Sequence, residues 1–294
     1  MAHKFSKKPA RSSGLFCGLG NGHFLFGGDS WGMQVEVKRS HSEGSESVMD
    51  VVADEEPLQI TVDGFPVAVV MRTPGDDLDL VHGFLLTEGF LTDLAQVSRI
   101  DLEQKENHAL VFLADGVEFD RARLSRNLFS ASSCGICGKA SIDSIRQQHE
   151  AVPEGFQITK EHLLTFPDQL RSAQSAFEQT GGIHAAALFD AAGRLLVLRE
   201  DVGRHNAIDK AIGWGAVEGV ANSQVVLQVS GRVSFEVMQK ALAAGIPVVS
   251  AISAPSSLAV EFAQESNQTL VGFLRPPRFN VYAGAERIAD RANC

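Results

Sequence analysis

The sequence has no long apolar run, few cysteines and no excess of positive charge, and each shortage excludes a class of function. No apolar stretch could span a bilayer, and glycines interrupt the apolar part of the head (14–28), so we expect neither an anchor nor a signal peptide. The formal net charge of −10 repels polyanions at long range, so we expect no nucleic acid or membrane partner. Any anionic ligand must be captured locally.

The four cysteines are too scattered for the disulfide framework of a small secreted domain. Cys17 and Cys294 lie near the chain ends, whereas Cys134 and Cys137 form a glycine-flanked Cys-x-x-Cys that runs into a predicted helix over 139–148. A cysteine at the start of a helix favours the thiolate form. The pair is therefore a nucleophile or a metal clamp.

A structural zinc site would need a second pair of ligands. Cys17 and Cys294 are terminal, and His149 and His162 are too far apart in sequence for the usual histidine pair. With no export signal we expect a cytoplasmic protein, in whose reducing surroundings a dithiol is free, metal-bound or catalytic and does not form a structural disulfide. We expect a reactive thiol and no structural metal, and zinc is the alternative.

A chain of 294 residues, 44% of them hydrophobic, can bury a sizeable core, and its length predicts two domains. Residues 1–47 are rich in Gly, Ser and Lys without periodicity and are predicted to be disordered. A small α+β domain over 48–123 should follow, then a dithiol loop with connecting helices over 124–180. An α/β domain over 181–294 should complete the chain.

The small domain begins with a predicted hairpin. Leu58–Val62 and Phe65–Met71 flank Asp63-Gly64, a dipeptide that tolerates positive φ at both turn positions. An acidic start and an apolar stripe predict a helix from Asp77 to near Phe90. Further elements are predicted as short strands over 97–102 and 109–113, and as a helical stretch capped by Thr159 that reaches Thr180 with an interruption at Pro167.

From Gly181 onward strands alternate with helices, the pattern of a layered α/β domain. A short turn joins the first two strands, which should therefore be antiparallel, and helices separate the later strands, which should be parallel. The predicted strands cover 184–189, 195–200, 225–229, 247–252 and 269–273, and the predicted helices cover 205–214, 234–244 and 257–264.

The turns that leave these strands for helices carry small or cationic residues. Open α/β sheets bind ligands at that edge, and helix N-terminal amides attract anions. Arginine matches phosphate geometry, and Arg204, Arg232, Arg275 and Arg278 follow strand ends. We therefore predict a phosphate-bearing ligand at this edge. The alternative is that these turns only cap helices. The residues predicted from the turns are Arg204, His205, Ser230, Gly231, Arg232, Ser253 and Ser256.

His184 begins a predicted strand within Gly-Gly-Ile-His-Ala-Ala, where a structural hydrogen bond and a ligand contact are equally consistent with the sequence. Zinc deaminases combine His-x-Glu with a later Pro-Cys-x-x-Cys. Here Ala186 holds the glutamate position and the cysteine pair comes earlier in the chain. Metal-dependent deamination is therefore not expected.

Six segments of the chain match one known family together. They are Ser-Cys-Gly-Ile-Cys-Gly (133–138), Gly-Gly-Ile-His-Ala-Ala-Ala-Leu (181–188), Arg-Glu-Asp-Val-Gly-Arg-His-Asn-Ala-Ile-Asp-Lys (199–210), Ser-Gly-Arg-Val-Ser-Phe-Glu (230–236), Ser-Ala-Pro-Ser-Ser-Leu-Ala-Val (253–260) and Gly-Phe-Leu-Arg-Pro-Pro-Arg-Phe-Asn-Val-Tyr (272–282). Together they resemble the formate dehydrogenase accessory sulfurtransferases, the FdhD family. The resemblance runs from about Glu56 to Tyr282.

The resemblance implies a cytoplasmic homodimer whose larger domain is a layered mixed sheet of the cytidine deaminase-like fold, without deaminase chemistry. It implies that the protein accepts persulfide sulfur from a cysteine desulfurase on Cys134, with Cys137 assisting. The sulfur then passes to the molybdenum or tungsten bis(molybdopterin guanine dinucleotide) cofactor, bound as a substrate and needed by formate dehydrogenase. The family's nucleotide site falls on Phe273, Leu274, Arg275, Pro276, Pro277 and Arg278, where the two prolines depart from the usual pattern.

Two other classes stay open at the level of the sequence. A dithiol chaperone that delivers the mature molybdenum cofactor without transferring sulfur would need the same pocket. A redox or zinc-dependent enzyme would need the same dithiol. The sequence does not distinguish the carrier from the chaperone.

Overall fold

A computed structural model of the protein describes residues 32–119 and 149–290. Within these residues the strands are β1 (Gly32–His41), β2 (Gly44–Ala53), β3 (Glu56–Val62), β4 (Phe65–Arg72), β5 (Val97–Asp101), β6 (His108–Leu113), β7 (Ile158–Thr159), β8 (His184–Asp190), β9 (Leu195–Asp201), β10 (Val225–Val229), β11 (Val248–Ala251), β12 (Thr269–Arg275), β13 (Arg278–Ala283) and β14 (Ile288–Ala289). The α-helices are α1 (Asp77–Thr87), α2 (Lys160–Ala173), α3 (Ser175–Thr180), α4 (Arg204–Val217), α5 (Phe235–Ala243) and α6 (Ser257–Glu265).

The first described element is an antiparallel ribbon of β1 and β2, which lies beside α3. The prediction of a disordered head is therefore wrong for residues 32–47, and residues 1–31 lie outside the described part of the chain. Val35, Val37 and Val48 alternate with polar residues, which is the period of a strand. The alternation is weak in the sequence because polar residues dominate the segment and most of the ribbon is exposed.

The predicted hairpin of the small domain is confirmed. Strand β3 pairs with β4 through a turn in which Asp63 has φ 45° and Gly64 has φ 82°. The four strands stand in the order β4-β3-β6-β5, and the apolar side of α1 packs on one face of this sheet. Helix α1 ends at Thr87, three residues earlier than predicted, because the chain turns at Gly89 with φ 70°.

The connecting helices differ from the prediction in where they break. Helix α2 starts at the predicted cap, Thr159, and continues through Pro167 to Ala173. Proline removes one backbone donor, and the loss is tolerated here because the buried side of α2 packs on the large sheet. The break falls instead at Gln174, where the Glu200 carboxylate accepts hydrogen bonds from the amides of the next helix.

The large domain has a six-stranded sheet in the order β13-β12-β11-β10-β8-β9. Strands β10, β11 and β12 are parallel and β8 is antiparallel to β9, as predicted. Strand β8 also pairs antiparallel with β10, a neighbour that the sequence did not predict. Helices α4, α5 and α6 cover one face and α2 covers the other, so the sheet is the middle of three layers. The layered mixed sheet is thus present, and its likeness to cytidine deaminases stays a prediction. Strand β13 was not predicted.

The two domains meet where α1 crosses α4. A Cβ atom on Gly83 would collide with the carbonyl oxygen of Asp209, and one on Gly213 would collide with that of Asp79. Only hydrogen atoms fit at these two positions, so the helix backbones lie in direct contact. This close approach attaches the small domain to the large one.

Buried charges surround the crossing. Lys240 Nζ lies 2.9 Å from both carboxylate oxygens of Asp209 and 2.8 Å from Glu88 Oε1. Burial raises the pKa of Asp209 to about 6, against the opposing attraction of Lys240. Burial by itself disfavours the charge on Lys240, but the two carboxylates raise its pKa overall. Buried ions are tolerable only when paired in this way.

None of the helices in the described ranges is long and apolar enough to cross a membrane.

The glycine contact predicts the effect of one added methyl group. Gly213→Ala should lower the free energy of unfolding by about 1–3 kcal/mol, because the helices must separate to admit the Cβ atom. Urea denaturation followed by circular dichroism measures the loss. Gly182→Ala is the control, since the nearest atom to a Cβ there lies 3.8 Å away. Equal effects of the two substitutions would contradict the close crossing.

The raised pKa of Asp209 predicts a pH dependence of stability. Between about pH 4 and pH 6 the folded protein retains a proton on Asp209 that the unfolded chain has released, so unfolding becomes easier as the pH rises. Asp209→Asn removes the carboxyl group that binds this proton. Between pH 4.5 and pH 7 the free energy of unfolding of wild type should therefore fall by on the order of 1–3 kcal/mol relative to that of the variant, a figure based on roughly 1.4 kcal/mol per pKa unit. Urea melts across that range test this, and parallel stability curves for the two proteins would contradict it.

Candidate functional site

The residues predicted from the strand ends lie along one edge of the large sheet. Val229 at the end of β10 pairs with Ala251 at the end of β11, and β12 runs beside β11 in the same direction. His184 begins β8 beside this edge, because β8 is antiparallel to β10. The end of β9 pairs with His184 and reaches the same edge. Sheet topology therefore brings together residues that are far apart in sequence.

Backbone hydrogen bonds join the neighbouring loops of this edge. The Val233 amide donates to Ala254 O at 3.2 Å, and the Ser256 amide donates to Val233 O at 2.9 Å. The Phe273 amide donates to Ser253 O at 3.0 Å. The loops after β10 and β11 and the end of β12 thus form one continuous surface. We call this surface, with His184 and Arg204 beside it, the arginine edge.

One end of the arginine edge is a corner made by His184, Arg204 and Gly231. A Cβ atom on Gly231 would lie 3.4 Å from His184 Nδ1 and 4.0 Å from Arg204 Cδ, so the missing side chain keeps the corner open. Ser230 Oγ accepts a hydrogen bond from the Ala185 amide at 2.9 Å and holds the loop in place. Arg204 Nε is buried and has no hydrogen-bond partner among the described residues.

The electrostatics of this corner favour a neutral histidine beside a cation. Burial lowers the pKa of His184, and the nearby guanidinium of Arg204 lowers it further, while Asp201 acts in the opposite direction. A neutral imidazole can both donate and accept a hydrogen bond. The structure therefore adds His184 to the residues predicted for the site. Its signal in the sequence was a polar ring at the very start of a buried strand.

The other end of the arginine edge combines an aromatic ring with exposed cations. Phe273 is 38% exposed and adopts φ 50°, an unusual backbone conformation for a residue with a side chain. The Arg275 guanidinium lies 5.8 Å from the centre of its ring, and Arg275 Nε donates to Ile252 O at 3.1 Å. Arg232 and Arg278 are also exposed. A ring beside guanidinium groups suits a ligand that has both a base and phosphates.

Four of the residues predicted for the site offer fewer groups to a ligand than expected. Leu274 is fully buried in the core, so only its backbone can reach a ligand. Pro276 and Pro277 form the tip between β12 and β13 and have no amide hydrogen to donate. Ser256 uses its hydroxyl to accept from the Ala259 amide, which is the capping role that the sequence left open.

His205 lies within the protein rather than on the exposed surface. It is 8% exposed, and its Nε2 atom lies 3.4 Å from Glu236 Oε2 at the start of α5. It occupies the second position of α4, where the side chain points toward the neighbouring helix. Its contact with a ligand stays a prediction.

Much of the long central motif joins the two domains. Asp201 is completely buried, and its carboxylate accepts from the Thr73 amide at 3.1 Å and pairs with Lys210 at 2.8 Å. Asn206 Nδ2 donates to Asp201 Oδ1 at 2.9 Å and to Met71 O at 2.6 Å. These contacts hold the start of α4, and with it Arg204, at the sheet edge.

The dithiol of Cys134 and Cys137 lies in residues 120–148, outside the described residues. Within 32–119 and 149–290, no group of three or more His, Cys, Asp or Glu side chains is arranged to hold a metal ion. The arginine edge is therefore the candidate site that geometry supports, and the thiol chemistry rests on the sequence motif.

Curated relatives resemble the chain along most of its length. A protein from Streptomyces avermitilis named "Sulfur carrier protein FdhD" is 49% identical over 255 residues, covering 83% of this chain and 90% of the relative. A protein of the same name from Mycobacterium tuberculosis is 48% identical over 253 residues, with 81% and 92% covered. The relative of that name from Sulfolobus acidocaldarius is 43% identical over 254 residues, with 86% and 96% covered.

The fold also has a solved counterpart. The crystal structure of a Desulfotalea psychrophila protein, described as a formate dehydrogenase accessory protein, superposes with a TM-score of 0.74 at 24% identity. The superposition covers 88% of this chain and all of that one. The sequence model of the FdhD/NarQ family matches residues 53–289. This chain belongs to the FdhD/NarQ family.

Proposed function

We propose that the protein is a sulfurtransferase that carries sulfur on Cys134 and delivers it to a guanine-dinucleotide form of the molybdenum or tungsten cofactor, for use by formate dehydrogenase. The observation that carries the proposal is the arginine edge, an exposed ring and several guanidinium groups on a chain of net charge −10. The relatives' name, sulfur carrier protein, supports the sulfur role.

The first step is a thiol exchange without net oxidation. The Cys134 thiolate attacks the outer sulfur of a cysteine persulfide on the desulfurase, the bond between the two donor sulfurs breaks, and the desulfurase cysteine leaves as a thiolate. Cys134 then carries the persulfide. Cys137 lies three positions further along the chain, a spacing that lets it assist as a resolving thiol or second acceptor.

The second step moves the carried sulfur onto the metal of the bound substrate. The bond between Cys134 and the outer sulfur breaks, Cys134 leaves as a thiolate, and the sulfur becomes a terminal sulfido ligand. Sulfur gains two electrons in this step, and the reduced metal supplies them. The protein's role in this step is to keep the Cys134 thiolate a good leaving group and to hold the substrate in place.

The arginine edge is suited to hold the nucleotide ends of that substrate. Arg232, Arg275 and Arg278 offer planar donor pairs that match phosphate oxygens. The ring of Phe273 offers a stacking surface for a base. In the corner, Arg204 Nε is a buried donor that has no hydrogen-bond partner in the described part of the chain, and the neutral ring of His184 lies beside it. A cradle of this kind binds a nucleoside diphosphate through charge and stacking together.

The thiol step predicts the location of the added sulfur. After incubation with a cysteine desulfurase and cysteine, intact-mass analysis should show an adduct of about 32 Da, one sulfur atom, on wild type and none on Cys134→Ala. Cys17→Ala is the matched control and should keep the adduct. Cys137→Ala should lose less of it than Cys134→Ala.

Three other outcomes of this experiment would contradict the proposed sulfur step. An adduct on Cys134→Ala equal to that of wild type would exclude Cys134 as the acceptor. Loss of the adduct only in Cys137→Ala would exchange the roles of the two thiols. An unmodified wild type that still supports formate dehydrogenase would favour the chaperone over the carrier.

The arginine edge predicts selective nucleotide binding. Guanosine diphosphate should bind and raise the thermal unfolding temperature, since a ligand held by the native state alone stabilises it. Arg232→Ala or Arg278→Ala should weaken binding by about 1.5–3 kcal/mol, the contribution of a charge-assisted contact. Adenosine diphosphate should bind less well, because adenine leaves polar groups of a guanine site unpaired. Calorimetry measures all of these affinities.

The control for this experiment is Arg194→Ala. Arg194 is exposed like the edge arginines, but it pairs with Asp190 at the opposite end of the strands. Its loss should leave nucleotide affinity unchanged. Equal affinity for the two nucleotides, or equal losses in the Arg194 and Arg278 variants, would remove the arginine edge as the nucleotide site.

A further inference from the structure

The turn between β9 and α4 sets the direction in which the side chain of Arg204 leaves the backbone. Only Val202 and Gly203 separate the end of β9 at Asp201 from Arg204, the first residue of α4. The residue at the cap position, Gly203, has no side chain that could fix the start of the helix. Other contacts must therefore hold this turn in place.

Thr73 of the small domain uses all of its polar groups to hold this part of the large domain. Its amide donates to Asp201 Oδ2 at 3.1 Å, and its hydroxyl oxygen accepts from the Val202 amide at 3.1 Å. Its carbonyl oxygen accepts from Lys210 Nζ at 2.8 Å. Thr73 is 2% exposed, Asp201 0% and Lys210 1%, so water cannot readily replace the bonds between them.

The contacts of Thr73 are separate from those at the crossing of the two helices. The crossing involves Asp209, which lies more than one helical turn beyond Arg204 in α4. In that part of the joint Thr87 Oγ1 donates to Asp209 Oδ1 at 2.7 Å. The Thr73 hydroxyl is bonded instead to the residue two positions before Arg204. It therefore acts on the turn, and the contacts at Asp209 do not include it.

The guanidinium of Arg204 depends on this backbone for its position. Its Nε atom is buried, and no residue in the described part of the chain accepts a hydrogen bond from it. Its Cδ atom lies 4.0 Å from the place that a Cβ atom on Gly231 would occupy. Because the guanidinium is a rigid planar fork, its donors meet a phosphate only from the right direction. A shift of the turn would misdirect the cation of the corner.

We infer that Thr73 is a positioning residue of the candidate nucleotide site and that it acts through Arg204. Its hydroxyl group holds the Val202 amide, and the turn then directs the guanidinium into the corner beside Gly231. The small domain thereby contributes to nucleotide binding without contacting the nucleotide. The inference rests on the proposed nucleotide ligand and is independent of the sulfur carried by Cys134.

The test removes the hydroxyl group and keeps the shape of the side chain. Calorimetry of the full chain with guanosine diphosphate should show the dissociation constant raised roughly 10-fold in Thr73→Val, the loss expected for one hydrogen bond. Thr73→Ser keeps the hydroxyl group and should bind like wild type. Thr87→Val is the matched control, because it removes a buried hydroxyl group elsewhere in the same joint. It should lower the free energy of unfolding and leave nucleotide affinity unchanged.

A double-mutant cycle separates positioning from a general loosening of the fold. Arg204→Ala should by itself raise the dissociation constant at least about 10-fold, since it removes a charged donor. If Thr73 acts through Arg204, Thr73→Val should cause no further loss in the Arg204→Ala protein. It should cause its full loss in the Arg278→Ala protein. Equal losses in these two backgrounds would overturn the positioning role.

Asn206→Ala tests the same turn if Thr73→Val does not fold. Asn206 is only partly buried, and its Nδ2 atom donates to Asp201 Oδ1 at 2.9 Å. This variant should show the same dependence on Arg204.

Further results of these measurements would overturn the positioning role. They are wild-type affinity in a folded Thr73→Val protein, weakened binding in Thr73→Ser, and a loss in Thr87→Val equal to that in Thr73→Val. A wild type that binds no guanosine diphosphate would remove the proposed nucleotide site itself, and the positioning role with it.

Discussion

The direct backbone contact between α1 and α4 is the constraint on which the rest of the structure depends. Neither Gly83 nor Gly213 has room for a side chain, so the direct contact of the two helix backbones fixes the position of the small domain on the large one. Once the helices are this close, the charged residues around them are buried and must be paired. Lys240 with Asp209 and Lys210 with Asp201 meet that demand. The joint is therefore rigid and chemically specific at the same time.

The same joint positions the candidate site. Asp201 ends β9 and is held by Thr73 of the small domain and by Lys210 of α4. Arg204 follows three residues later and begins α4 at the sheet edge, beside Gly231. A loosened joint would move this guanidinium relative to the loops after β10 and β11. One stretch of sequence thus packs the two domains together and positions an arginine of the candidate site.

Charge is distributed unevenly in a chain that is acidic overall. Several arginines away from the edge pair with carboxylates, as Arg72 does with Asp77 and Arg199 with Asp79. Among the described residues, no ion pair involves Arg232 or Arg278 at the sheet edge. Their charge is therefore available to a ligand. Repulsion from the rest of the chain disfavours polyanions in general, while these two cations make the sheet edge locally positive.

Local sequence determined those strands and turns that neighbouring residues alone specify. Asp63-Gly64 between two apolar runs was enough for the hairpin, and short, nearly continuous apolar runs were enough for every strand of the large sheet except β13. The strand ends placed Arg232, Ser253 and Arg275 at one edge, because parallel strands share a direction. Family resemblance extended this to the thiols and the cofactor.

Tertiary structure decided what depends on residues distant in sequence. The sequence predicts a helix break at Pro167, whereas Glu200 accepts a hydrogen bond from the start of a new helix after Gln174. Leu274 is buried in the core although its neighbours are exposed. His205 meets Glu236 only because α4 packs on α5, and the pKa of His184 is lowered first by its burial in the fold and then by the neighbouring Arg204. The sequence by itself determined most of the helices and strands after residue 56, their order and the residue types at the sheet edge. Which of those side chains line the candidate site, and which hold the domains together, was decided by packing, because burial and pairing are properties of neighbours in space.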